Sequence, residues 1–240
     1  MFLFALAIAP GIAISLYFFF RDEYNREPRR HLVVSFFLGF LSALIAVVIE
    51  TGLLTAFEHS HDNGILYIAF KAFIVVALTE EWAKYIMVKS YAYPKPEFDE
   101  PFDGIVYCVM VSMGFATLEN IAYVMQHGFA TALMRMFLSV PAHATFGVLM
   151  GYHMGKAKFS GFNEKRELMT GLLLATVFHG FFDFFLFLQE NRMVAENVSN
   201  LLLFAGAIAS YAIAFTLSRR SVVAHMAVSR RMYGPGGEEV

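Results

Sequence analysis

The sequence predicts an all-α protein, a polytopic membrane helix bundle with about seven transmembrane helices, and three observations carry that expectation. The 240-residue chain is 58% hydrophobic and only 16% charged, with mean hydropathy +0.57, where a soluble domain carries about 25% charged residues. Its apolar runs recur near 20 residues, the length a helix needs to cross a hydrocarbon core about 30 Å thick. Its basic residues fall in alternate connections: 21–31, 89–101, 154–167 and 218–240 hold fourteen of the eighteen Lys and Arg, while 58–64, 126–129 and 189–199 hold only Arg192. By the positive-inside rule, the N-terminus lies outside and the C-terminus in the cytoplasm.

The spans read as 1–20, 32–57, 65–88, 102–125, 130–153, 168–188 and 200–217. The first is an uncleaved helix despite the Ala7-Ile8-Ala9 run, because Arg21, Arg26, Arg29 and Arg30 follow the apolar stretch, whereas a signal peptide carries its charge ahead of it. Glu50 lies near the outer end of the second span and reads as interfacial. The run Glu58-His59-Ser60-His61-Asp62 beyond it reads as solvated loop. Lys71 and Arg135 are close enough to the outer ends of their spans to snorkel, and Lys84 could do so at the inner end. Pro101 opens the fourth span, where its missing N–H costs little, and Asp99, Glu100 and Asp103 suit the positive end of that helix. The fifth span contains Pro141, which removes a backbone hydrogen bond to Phe137, then Gly147, Gly151 and Gly155, a ladder for close helix contact. Residues 1–218 form one transmembrane domain. The tail, 219–240, begins as a short amphipathic helix suited to the inner leaflet, between paired arginines, and ends in a disordered Gly- and Glu-rich stretch.

Composition also excludes function classes. A net charge of −2 with basic residues confined to short connections leaves no nucleic-acid surface, so the surroundings to consider are the lipid bilayer and molecules within it. Cys108, the single cysteine, rules out an intramolecular disulfide and a CxxC site.

The chemistry lies in the ionisable residues inside the spans. Each costs roughly 2.5–3.5 kcal/mol at bilayer depth on insertion scales, so each is a functional-site candidate. Counted from the inner helix ends at about 1.5 Å per residue, Glu80 and Glu81 lie about 11–12 Å deep, His143 about 15 Å and His179 about 17 Å, with Asp183 at about 22 Å and Glu119 at about 25 Å. Three spans thus bring two carboxylates and two imidazoles to nearly one level. His179 and Asp183, four apart, share a helix face. Glu80 and Glu81 diverge by about 100°, so one faces the site while the other pairs with Lys84, i+4 from the first and i+3 from the second.

These residues form a pattern. Glu80-Glu81-Trp82-Ala83-Lys84 fits EExxK, Phe115 to Asn120 fits FxxxEN, His143 precedes small residues, and His179 to Asp183 fits HxxxD. Over the core 32–187 the chain resembles the PrsW family of intramembrane proteases, related to the CaaX-prenyl-protease and bacteriocin-processing superfamily. Lys84 one position earlier than in that superfamily's EExxxR, and Glu119 where many relatives carry His, both agree with the PrsW branch. The resemblance implies peptide-bond hydrolysis in a membrane-anchored protein substrate, in some members an anti-sigma factor during stress signalling. It marks Glu80, Glu81 and His179 as essential, with Glu119, His143 and Asp183 as companions.

Hydrolysis needs a base for water and donors for the oxyanion. Glu80 is the expected base, supported by Glu81 paired to Lys84. In a metal-free version His143 and His179 stabilise the oxyanion and Asp183 orients a His. In a metal version His143 and His179, with Glu119 or Asp183, hold zinc. HExxH is absent from the sequence and does not decide between them. The estimated depth gap of roughly 8–10 Å counts against Glu119 as a ligand. A proton- or metal-coupled transporter is the alternative, since buried Glu and His also build relays.

Overall fold

The computed structural model describes residues 1–57, 64–159, 161 and 163–235. The His-x-His run at 58–62 and the last five residues lie outside that set. The chain is helical in the order α1 (Phe2–Arg21), α2 (Arg29–Phe57), α3 (Ile65–Phe70), a π-helical segment (Lys71–Leu78), α4 (Thr79–Tyr91), α5 (Pro101–His127), α6 (Phe129–Phe137), α7 (Ser139–Phe159), α8 (Glu164–Glu190), α9 (Arg192–Ala195) and α10 (Asn200–Tyr233). Among the described residues, α1, α2, α5, α6 with α7, α8 and α10 are long and apolar enough to cross a membrane. The remaining expected span is helical from Ile65 to Tyr91, but its middle eight residues take the wider π form.

The core forms around α5, whose residues from Pro101 to Thr117 are all buried. Its start is fixed as the sequence suggests: Pro101 occupies the first turn, and Glu100 and Asp103 make a reciprocal capping box in which the Glu100 N–H donates to Asp103 Oδ2 at 2.8 Å. Asp99 plays a different part, accepting from Asn25 Nδ2 at 2.7 Å. The α5–α7 contact is nearly backbone to backbone. A Cβ added at Gly151 would lie 2.3 Å from the Gly104 carbonyl oxygen, and one at Gly104 would lie 2.4 Å from that of Gly151. Gly39 and Gly114 bring α2 against α5 in the same way.

The fifth expected span breaks at Leu138, between α6 and α7, one residue after the carbonyl that Pro141 cannot reach. The tail departs from expectation. No separate surface helix starts at Arg219; α10 continues for 34 residues, about 51 Å, because its far end has the bundle to pack on. There His225 stacks on Tyr152 with centroids 4.3 Å apart, and Ser229 Oγ donates to Glu100 Oε1 at 2.9 Å.

Candidate active site

The π segment ends where the site begins. Directly after Leu78, α4 presents Thr79, Glu80, Glu81 and Lys84, all buried. Single π turns inside helices recur at functional sites, and this one shifts the register at which the two glutamates leave the helix. Lys84 is 1% exposed. Its ammonium donates to Glu81 Oε1 at 2.8 Å, to Glu80 Oε2 at 3.2 Å and to His143 Nδ1 at 3.1 Å, and lies 3.9 Å from the Phe115 ring centroid. The expected pairing is therefore wider than i+3 and i+4 spacing implied. Lys84 does not snorkel but binds both carboxylates and an imidazole from α7.

The two histidines are held from opposite sides. His143 Nδ1 accepts from Lys84, which leaves the proton on Nε2 to donate to Glu119 Oε2 at 3.0 Å. His179 has Glu81 Oε1 2.9 Å from Nδ1 and Asp183 Oδ2 3.2 Å from Nε2, so each ring nitrogen has a carboxylate to accept its N–H. Glu80 Oε2 is 3.9 Å from His179 Nε2. The rings stand perpendicular with centroids 5.1 Å apart, and Phe146 stacks on His179 at 5.0 Å. All six expected residues thus join one connected group.

Glu119 corrects the depth estimate. It touches His143, although counting placed it well outward. The error lies in the helix ends: α7 runs to Phe159 rather than stopping at 153, which moves His143 to about 24 Å from its inner end, level with Glu119. Arg135, read as snorkelling, also belongs to this group. Its Nη2 donates to Glu119 Oε2 at 2.5 Å and its Nε to Asn120 Oδ1 at 3.0 Å, and Asn120 Nδ2 donates to the Ala7 carbonyl at 2.8 Å. The break at Leu138 tips α6 so that Arg135 reaches inward, a consequence Pro141 hinted at.

A cavity of about 730 Å³ opens onto this group between α2, the π segment, α5, α7 and α8. Glu80, Glu119, His143, His179 and Asp183 line it; Glu81 and Lys84 stand behind. Glu50 lines it too, which replaces the interfacial reading.

The family model described as "PrsW family intramembrane metalloprotease" matches residues 27–228. The chain belongs to that family. It is 39% identical to Protease PrsW of Geobacillus kaustophilus over 188 residues, 78% of this chain and 81% of the relative. Protease PrsW of Bacillus subtilis is 39% identical, covering 77% and 82%, and that of Clostridioides difficile 33%, covering 78% and 80%. No solved structure shows a significant match. The chain is accordingly a multi-pass membrane protein and an intramembrane protease, with protein substrates in the membrane.

The PrsW family description raises the question of a metal. Glu80, Glu81, His143 and His179 each offer a ligand atom, all within 4.8 Å of one another, and Glu81 Oε2 is buried without a hydrogen-bond partner. A set of two carboxylates and two imidazoles suits zinc. It differs from the set read from the sequence: Asp183 stands outside it and bonds to His179, and Glu119 bonds to His143. Lys84 is a cation already shared by three of the four donors, so an ion held there takes over bonds that Lys84 now makes.

Proposed function

We propose that this chain hydrolyses a peptide bond of a membrane-anchored protein, with water activated by Glu80. The observation that carries this reading is the asymmetry of the glutamate pair: Glu80 lines the cavity, while Glu81 is fully enclosed and held by Lys84 and His179. Glu80 takes the proton from water that enters the cavity. Glu81 fixes Lys84 and His179 in place, and Lys84 in turn holds the Glu80 carboxylate toward the opening. The Nε2–H groups of His143 and His179, which donate to Glu119 and Asp183 in the resting site, turn to the tetrahedral oxyanion as it forms, both rings being on the cavity wall. Asp183 orients His179, and Glu119, itself clamped by Arg135, orients His143. A zinc ion held by Glu80, Glu81, His143 and His179 would, when bound, polarise the scissile carbonyl and acidify water.

The family resemblance points to a single-span regulatory protein of the anti-sigma-factor kind as substrate, and the distribution of basic residues supports an external N-terminus. The transporter alternative is not favoured, since the relatives are named proteases.

The test is cleavage of a single-span substrate by purified protein, comparing wild type with Glu80→Gln, Glu81→Gln, His143→Ala and His179→Ala. Loss of cleavage in Glu80→Gln and in either histidine variant is expected; undiminished cleavage in all four overturns the site. Zinc analysis and chelation of the same preparation decide the metal: full activity in protein shown to be metal-free removes zinc from the reading.

A further inference from the structure

Two acids on the cavity wall go unused by the reaction above, Glu190 at the exposed end of α8 and Glu50. Glu50 sits on α2 within 41–54, a run whose only other polar side chains are Ser42 and Thr51. Its Oε1 is enclosed and has no hydrogen-bond partner, and among the described residues no cation lies within ion-pair distance of it. The acids of the cavity interior are served: Glu80 by Lys84, Glu119 by Arg135 and His143, Asp183 by His179. A carboxylate oxygen enclosed without a donor is costly in any protein and more so at membrane depth.

The surroundings indicate what completes it. Ala43, Ala46, Val47, Glu50 and Leu54 follow one another at helical spacing along the cavity, an apolar strip on α2 with one carboxylate on it. Leu44 and Val47 line the cavity and are also more than half exposed on the outside of the bundle, so the strip reaches the lipid-facing surface. Of the charged groups acting most strongly on Glu50, the two potential cations, Lys84 and His179, are committed to other carboxylates, and Lys71 on the same wall lies over the Phe187 ring, 4.5 Å from its centroid. A neutral donor would satisfy the oxygen and leave its charge uncompensated, whereas a cation does both.

We propose that Glu50 is a specificity-determining residue that receives a lysine or arginine side chain of the substrate lying along α2. The inference rests on reading this cavity as the place where the peptide is cut. The full-length protein in proteoliposomes would be given single-span peptides carrying Lys, Met or Glu at successive positions around the cleaved bond. The wild type is expected to prefer Lys over Met at one position by at least about tenfold in kcat/KM, carried mainly by KM, the lower end of what a charge-assisted hydrogen bond supplies. Glu50→Gln should bring that ratio close to one, and Glu50→Lys should turn it toward the Glu peptide. Equal use of Lys, Met and Glu at every position, or a Lys preference that survives Glu50→Gln, overturns the proposal. Should the charge reversal not fold, the near-isosteric Gln variant decides alone. Glu80→Gln in the same assay keeps the two readings apart: persisting cleavage refutes the catalytic assignment, while the charge preference still judges Glu50.

Discussion

Lys84→Met offers the sharpest test of how this site is held together. The substitution keeps most of the side chain's volume against Phe115 and deletes an ammonium that makes three bonds of 2.8–3.2 Å at 1% exposure. Removing one partner of a buried ion pair costs about 3–5 kcal/mol, because the remaining charge stays buried. The two carboxylates do not share that loss equally. Glu81 keeps His179 at 2.9 Å, while Glu80 is left with a His179 nitrogen at 3.9 Å. Most of the penalty therefore falls on Glu80, and Lys84→Met with Glu80→Gln should be more stable than Lys84→Met alone. Thermal unfolding in detergent, followed through Trp82, the chain's single tryptophan, is expected to drop by on the order of 10 °C in Lys84→Met and to recover in part in the double variant. Both proteins should be inactive. A Lys84→Met melting point within about 2 °C of wild type, or a double variant no more stable than the single one, would refute the view that Lys84 compensates Glu80.

Three further outcomes can be measured on the same preparations. Gly151→Ala puts a Cβ 2.3 Å from the Gly104 carbonyl, so α5 and α7 must separate by about 1 Å, which should cost about 1–3 kcal/mol and roughly 100-fold in cleavage by parting His143 from Glu119; Gly52→Ala, with nothing within 4 Å, is the control. Arg135→Ala should lower kcat roughly 10- to 100-fold with little change in KM, and Arg135→Lys should restore part of it; full activity of Arg135→Ala would leave Glu119 without need of its clamp. In the connections that precede α2 and α5, burial raises Glu100 from 4.5 to about 7 and Asp22 from 3.8 to about 6. A raised acid contributes stability that is complete below its unfolded value and lost as pH climbs through the folded one, so melting temperature should fall between pH 4.5 and about 7, and Glu100→Gln should flatten that slope.

Much of the site was legible because its chemistry is out of place in lipid. In an apolar chain every interior Glu, His or Asp is a deviation, and six of them fall in four short patterns on successive spans. What sequence could not supply was the third dimension of each helix. Depth was counted from assumed ends, and α7 runs six residues further than hydropathy indicated, since Lys156 and Lys158 look like the end of a span yet remain helical. That error alone separated Glu119 from His143. The π segment left no mark at all: Ile74, Val75 and Val76 are as much at home in an ordinary span, and only the Thr79 hydroxyl, reaching back five residues to the Ile74 carbonyl, shows the widened turn.

The two cations were misread for a shared reason. Snorkelling is an argument about one side chain and the nearest water, and it takes no account of how many buried polar partners the fold gathers around it. Lys84 sits among Glu80, Glu81 and His143, and Arg135 reaches Glu119 and Asn120. Lys84 therefore gains more from two acids of its own helix and an imidazole of α7, and Arg135 more from two side chains of α5, than either would from the membrane surface. The same logic, run the other way, singles out Glu50. Lys84 on their own helix compensates Glu80 and Glu81, Arg135 on α6 compensates Glu119, and among the described residues none forms an ion pair with Glu50. A half-buried acid with one oxygen enclosed and no ion pair among the described residues, on the wall of the proposed catalytic cavity, is best explained by a partner that arrives with the substrate.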